Sequence, residues 1–158
     1  MQSQSLFARL RGKFFHFYFL MKRPMTLGVR ALVLDESNQS IFLVRHTYVP
    51  GWHLPGGGVE RGQTLRQALD MELVEEGHIA LTSEPQLFGV YLNSRASIRD
   101  HVAFYVCRSF QQEKPRQPDK EIAEAGFFRL DALPKGVTAA TLRRIGEVMS
   151  NVPAEALW

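Results

Sequence analysis

Cysteine is almost missing from this sequence, with one residue, Cys107, in 158. A single thiol excludes an internal disulfide and any cysteine-based zinc centre. It lies in the apolar run "HVAFYVCRSF", where a buried thiol is expected, and a reducing, cytoplasmic setting fits it. Excess charge of one sign is also lacking. The 19 Lys and Arg against 16 Asp and Glu leave a formal net charge of +3. That suits an anionic ligand but is too small to imply nucleic acid. Long apolar runs are absent as well. The aromatic block in "RLRGKFFHFYFLMKR" has an apolar core from Phe14 to Met21, interrupted by His16. This is far short of the roughly 20 residues that a spanning helix needs, and no small-residue cleavage site follows it, as a secretion signal would require. Repeats and long linkers are missing too, so the chain divides simply into an N-terminal aromatic and basic segment, 1–25, and a domain, 26–158. Two readings of the segment stand side by side. Its aromatics pack on the domain, or residues 14–21 make a weak membrane-surface contact with Arg9, Arg11, Lys13, Lys22 and Arg23 near headgroups.

What is present from Thr26 onward reads as an α/β domain. "LGVRALVLD" and "IFLVRH" are strands joined by the turn "ESNQS", a predicted hairpin. "TYVPGWHLPGGG" is a loop punctuated by proline and glycine. Thr64 is the predicted N-cap of a helix that runs to about Glu76, with Gly77 as its stop. "PQLFGVYLN" and "DHVAFYVCRSF" are two further strands, "AGFFRL" is a short one, and a C-terminal helix begins near Thr138. This order of strands and helices predicts a mixed sheet covered by helices rather than a doubly wound parallel sheet.

The first helix carries the chemistry. With Leu65 at zero and about 100° per residue, Ala68 and Leu69 form a core-facing stripe near 300° and 40°. Arg66, Gln67 and Asp70 fall on the solvent face. Glu72, Glu75 and Glu76 fall near 340°, 280° and 20°, so they continue the stripe instead of the polar face. Like charges turned toward a protein interior need a compensating cation, and no basic residue lies one turn away on that face. A divalent metal supplies the missing charge, and oxygen-only ligands favour magnesium or manganese over zinc. Gly56, Gly57 and Gly58 precede this helix by a short loop. Glycine lets backbone approach a ligand closely, and a helix N-terminus favours anions. Together these features predict a metal-bridged phosphate site.

Those residues resemble the Nudix box, G-x5-E-x7-R-E-U-x-E-E-x-G-U with U a bulky aliphatic. Aligned from Gly57 to Ile79, the sequence matches at Gly57, Glu72, Leu73, Glu75, Glu76 and Ile79. "GWHLPGG", "VERG" and "EAGFFRLDALP" are also similar to Nudix sequence, and the resemblance runs from about Thr26 to the C-terminal helix. Three positions depart from it: Gln63 replaces the box glutamate, Met71 the arginine, and His78 the late glycine, with Gly77 one place earlier. The resemblance implies a Nudix-type α/β/α sandwich with a mixed central β-sheet. It implies magnesium-dependent hydrolysis of a nucleoside diphosphate linked to another moiety, a small-molecule substrate, with the three glutamates as metal ligands. The alternative is a catalytically weak nucleotide-binding or regulatory module on the same fold. A homodimer is common among the proteins it resembles. A further acid often precedes the last core strand, and Glu121 is the candidate for a distal metal ligand or general base, with Glu124 its rival.

The predicted substrate-binding set adds Arg45, Trp52, Gly57, Gly58 and Arg99. Arg45 ends the second strand as a phosphate contact or a snorkelling edge arginine. Trp52 stacks on a base or anchors the turn. Arg99, with Arg95 and His101, holds a terminal phosphate or sugar, or is a solvated loop cation.

Overall fold

The computed structural model describes residues 15, 17–19 and 21–158. Seven strands and two helices make up the domain: β1 (Thr26–Asp35), β2 (Ser40–His46), α1 (Leu65–Gly77), β3 (Ile79–Leu81), β4 (Gln86–Leu92), β5 (Asp100–Cys107), β6 (Phe110–Gln112), β7 (Ile122–Arg129) and α2 (Ala139–Met149). Five strands form one sheet in the order β4-β5-β1-β2-β7, and β3 pairs with β6 in a second. Only β1 and β5 are parallel; every other pair is antiparallel, so the central sheet is mixed as expected.

Strand alternation builds two cores. Val29, Ala31, Val33, Phe42 and Val44 face one way and bury Ala68, Leu69 and Leu73 of α1. Leu32, Leu34, Ile41 and Leu43 face the other way and bury Ile145 and Val148 of α2. Central strands with both faces covered read as nearly continuous apolar runs, and helices on both sides complete the α/β/α sandwich. Cys107 is buried on the α1 side, and burial pushes its thiol up to about 12, which leaves it unreactive.

Several expected boundaries move. The run from Asp100 to Phe110 is two strands, broken at Arg108 and Ser109, because β6 leaves the central sheet to pair with β3. β7 starts three residues earlier than "AGFFRL" because β2 supplies a partner as far as His46↔Ile122. The Thr64 cap is present as a full capping box with Gln67. The helix stop differs: Gly77 is still helical and buried, and the left-handed residue is His78, at φ 52°. Gly77 serves packing instead, since a Cβ there would lie 2.9 Å from both Ile79 Cδ1 and the Phe42 ring.

Of the two readings of the N-terminal segment, packing of its aromatics on the domain is not found among the described residues. Phe15, Phe17, Tyr18, Phe19 and Met21 are helical and exposed. The rest of that segment, including Phe14, His16 and Leu20, lies outside the described residues. Among the described residues no helix is long and apolar enough to cross a membrane.

Candidate active site

The site begins where β1 and β2 part. They pair directly only at Leu34↔Ile41 and Asp35↔Ser40. Beyond that the loop after β2 wedges between them: Val29 and Ala31 donate to the carbonyls of Gly57 and Pro55, while Val44 and His53 exchange hydrogen bonds. Glycine is required in this wedge. Gly56 has φ 137°, and a Cβ on it would sit 2.1 Å from Val29 O. A Cβ on Gly57 would meet Glu72 Oε1 at 2.2 Å. The glycines therefore bring backbone against the carboxylates of α1, and the Gly56 N–H donates to Glu76 Oε2 at 2.7 Å.

Packing of α1 on the sheet sets the exposure of its three glutamates. Glu76, nearest the centre of the apolar stripe, is buried; Glu72 is half-buried; Glu75, at the stripe's edge, is exposed. All three line one cavity of about 500 Å³ with Glu121, the residue just before β7. Burial pushes the Glu76 carboxyl up to about 7, against the Gly56 N–H and Arg30, while Glu72 and Glu75 add to the rise. Burial likewise raises Glu72, helped by the charges of Glu75 and Glu121 and opposed by Arg30. His46 Nε2 lies 3.4 Å from Glu76 Oε1. That contact is not an ion pair, because burial first, then Arg30 and His53, push the imidazole below its ordinary value and keep it neutral.

Sequence reasoning missed Arg30. Its guanidinium donates to Leu54 O at 3.2 Å and to Gly56 O, and its charge opposes the rise of both Glu72 and Glu76. The expectation that no cation serves this face held within α1 but not across the fold, since Arg30 arrives from β1. The available signal was an arginine in the middle of the apolar strand "LGVRALVLD". Arg116 and Asp119 also line the cavity, hydrogen-bonded to each other. Asp119 is held far below the usual carboxylate range by the N–H groups of Ile122 and Glu121 and by Arg116.

Five carboxyl groups and two guanidiniums thus share this cavity. Among the described residues, no three acidic, histidine or cysteine side chains are grouped as a ready-made metal site; the glutamates instead line the cavity wall. A half-desolvated wall with more carboxylates than cations fits a hard divalent cation.

A second cavity of about 600 Å³ adjoins the first, and Arg30 and Gly57 line both. Gly58 lines only the larger one, beside Leu27, Asn93, Asp100, Val102 and Trp158. Asn93 Nδ2 donates to Asp100 Oδ2 at 2.8 Å, and Thr26 Oγ1 donates to Asp100 Oδ1 at 2.7 Å. The structure sets Arg45, Trp52 and Arg99 apart from both cavities. Arg45 points to the α2 side, where it pairs with Glu124 at 2.8 Å and covers the Trp52 ring. This also removes Glu124 from the carboxylate wall and leaves Glu121 there. Trp52 is buried edge-on against Phe128, with ring centroids 4.7 Å apart. Arg99 is exposed in the loop before β5, where its carbonyl accepts the Thr26 N–H.

The departures from the box meet in space. Gln63 Nε2 approaches Met71 Sδ at 3.6 Å, and Gln63 Oε1 accepts the Glu60 N–H at 2.9 Å. The pair is neutral and locally satisfied.

Residues 24–147 match the family model described as NUDIX domain. Over 80 residues the chain is 39% identical to a Bacillus subtilis (strain 168) protein named "Putative 8-oxo-dGTP diphosphatase". That alignment covers 50% of this chain, and the chain spans about half the length of this curated relative, 52%. Among solved structures, a MutT NUDIX hydrolase from Burkholderia pseudomallei has a TM-score of 0.66 at 26% identity, covering 78% of this chain and 97% of that one. An ADP-ribose pyrophosphatase from Streptococcus suis 89-1591 has a TM-score of 0.61 at 26% identity, covering 84% and 96%. The matched span takes in the split sheet, the glycine wedge and all of α1, and on that extent the chain belongs to the NUDIX domain family.

Proposed function

We propose that the protein hydrolyses a phosphoanhydride bond of a nucleoside diphosphate linked to a further group, with magnesium, or manganese in its place, as cofactor. The observation that carries this reading is the wall shared by the two cavities. Because Arg30 and Gly57 line both, one ligand can lie across them with its phosphates beside the glutamates and its remainder in the larger cavity. The names of the relatives, an 8-oxo-dGTP diphosphatase and an ADP-ribose pyrophosphatase, belong to the same reaction class.

Glu72, Glu75, Glu76 and Glu121 would hold the cation, which when bound neutralises phosphate oxygens and acidifies water. The chain's own groups supply the rest. Arg30 places a fixed positive charge where the bridging phosphates cross between cavities. Gly57 and Gly58 let backbone approach them without a side chain. Glu121 takes the proton of the attacking water. Water adds to one phosphorus, the bridging P–O bond breaks, and a nucleoside monophosphate separates from the other phosphorylated fragment.

The test is a panel of nucleoside diphosphate derivatives and oxidised nucleotides, with magnesium or manganese and product identification. Release of nucleoside monophosphate is expected, and Glu76→Gln lowers kcat by about 100-fold or more. Tight nucleotide binding with no turnover under either metal refutes the hydrolase. That outcome would favour a nucleotide-binding module, a reading supported by the neutral Gln63–Met71 contact. A Gln63→Glu/Met71→Arg double variant separates degrees of activity. A gain of about tenfold, which is ~1.4 kcal/mol of barrier, marks the native site as handicapped.

A further inference from the structure

The described residues of the N-terminal aromatic block line neither cavity. Its described aromatic and methionine side chains, Phe15, Phe17, Tyr18, Phe19 and Met21, are between 46% and 69% exposed. At about 100° per residue, Phe15 and Phe19 lie on one side of the helix, and Phe17 and Met21 on the other. An exposed helix that is apolar on opposite sides finds no stable solution in water. A headgroup layer, part apolar and part hydrated, accepts exposed aromatic rings of this kind.

Charge selects the kind of lipid. No Asp or Glu occurs in residues 1–34, while Arg9, Arg11, Lys13, Lys22 and Arg23 flank the aromatics in sequence. The Arg23 guanidinium lies 5.4 Å from the Phe19 ring centroid, the pairing of cation and aromatic that suits a headgroup layer. At the root of the segment, Thr26 N–H donates to Arg99 O at 3.1 Å. The loop it joins exposes Ile98, at 80%, next to Arg99, while Arg95 of the same loop lines the larger cavity. Arg99, which serves neither cavity, thus stands with the basic residues of this surface.

We propose that the exposed Phe15, Phe17, Tyr18, Phe19 and Met21 with Lys22 and Arg23, and Ile98 and Arg99 of the loop at their root, dock the protein on the headgroup region of an anionic bilayer. The block is too short to span, so the association is interfacial and reversible. Rings enter the acyl boundary and the flanking cations meet anionic headgroups.

The experiment is sedimentation of the full chain with vesicles of pure phosphatidylcholine or of phosphatidylcholine mixed with phosphatidylglycerol. Partition is expected to be at least about 20-fold stronger on the anionic vesicles and to weaken with salt, since each cation near the surface contributes about fivefold. Phe15→Ser/Phe17→Ser/Phe19→Ser abolishes binding, and Lys22→Glu/Arg23→Glu removes the preference for anionic lipid. Thermal melting of both variants is expected to match the parent, which keeps loss of binding distinct from loss of fold. Three results overturn the proposal: no vesicle-dependent sedimentation, equal partition on both compositions, or binding that survives both variants. Self-association dispersed by the aromatic variant, with no vesicle binding, also overturns it and assigns the surface to a second copy of the chain.

Discussion

Glu76 joins the structure to its expected pH behaviour. Burial lifts its carboxyl to about 7, whereas a glutamate in an unfolded chain titrates near ~4.3. Below both values the group is protonated in either state and contributes nothing. As pH rises through this window the unfolded chain ionises first, so stability falls, and above about 7 the loss is constant, on the order of 3 kcal/mol. The raised Glu72 acts in the same sense. His46 and His53 act oppositely: burial lowers both, so the unfolded state takes up the extra proton and stability rises toward pH 7. Comparison with Glu76→Gln isolates the carboxyl. In chelator, the variant should gain stability over the parent at pH 8 but not at pH 4, measured by thermal or urea unfolding. Magnesium at pH 8 should raise the Tm of the parent and leave that of Glu76→Gln nearly unmoved. A difference between the two proteins that is independent of pH would show that the carboxyl is not held protonated by the fold.

At the scale of elements, the end of α1 tests which residue carries which constraint. His78 occupies the left-handed region that favours glycine, so His78→Gly should stabilise by about 1 kcal/mol by removing Cβ strain. Gly77→Ala gains about 1 kcal/mol of helix propensity. It also forces a methyl to within 2.9 Å of Phe42 and Ile79, an overpacking cost of about 1–3 kcal/mol. A net loss of about 1 kcal/mol is expected, read as a lower urea midpoint at unchanged m. If Gly77→Ala stabilised the protein, the close packing of α1 on β2 would not be what selects glycine there. The two adjacent positions are interchangeable on paper but have opposite expected responses, because one is fixed by backbone angle and the other by space.

At the scale of the whole molecule, one buried ion pair ties three distant parts together. Arg144 is fully buried, donates to Glu147 Oε1 at 2.8 Å and to Leu157 O at 3.0 Å, and lies 4.1 Å from the Tyr91 ring centroid. Glu147 Oε2 accepts the Tyr91 hydroxyl at 2.8 Å. Helix α2, strand β4 and residues 155–158, including Trp158 of the larger cavity, thus depend on one charge. Arg144→Met should cost about 3–5 kcal/mol because it leaves Glu147 buried without its cation. Adding Glu147→Leu should recover a substantial part of that loss, measured by urea unfolding; if the double variant were no better than the single, the stranded charge would not be the cause. By itself the sequence determined the local terms: strand alternation, the Thr64 cap, the order of the five central strands and the two helices but not the small β3–β6 pair, and three glutamates at helical spacing on the apolar stripe. These are set by residues within one or two turns of one another, so they are legible along the chain. The tertiary structure alone decided that Arg30 reaches the cavity of the glutamates, that Arg45 and Glu124 pair on the far side of the sheet, and that Glu121 rather than Glu124 lines that cavity. It also brought Gln63 and Met71 into contact, eight positions apart, and left Phe15, Phe17, Tyr18 and Phe19 exposed. The first three of those outcomes depend on which side of a strand faces which helix once the glycine loop has split β1 from β2. That split comes from backbone packed against carboxylates across the fold, a contact between segments that no local pattern encodes.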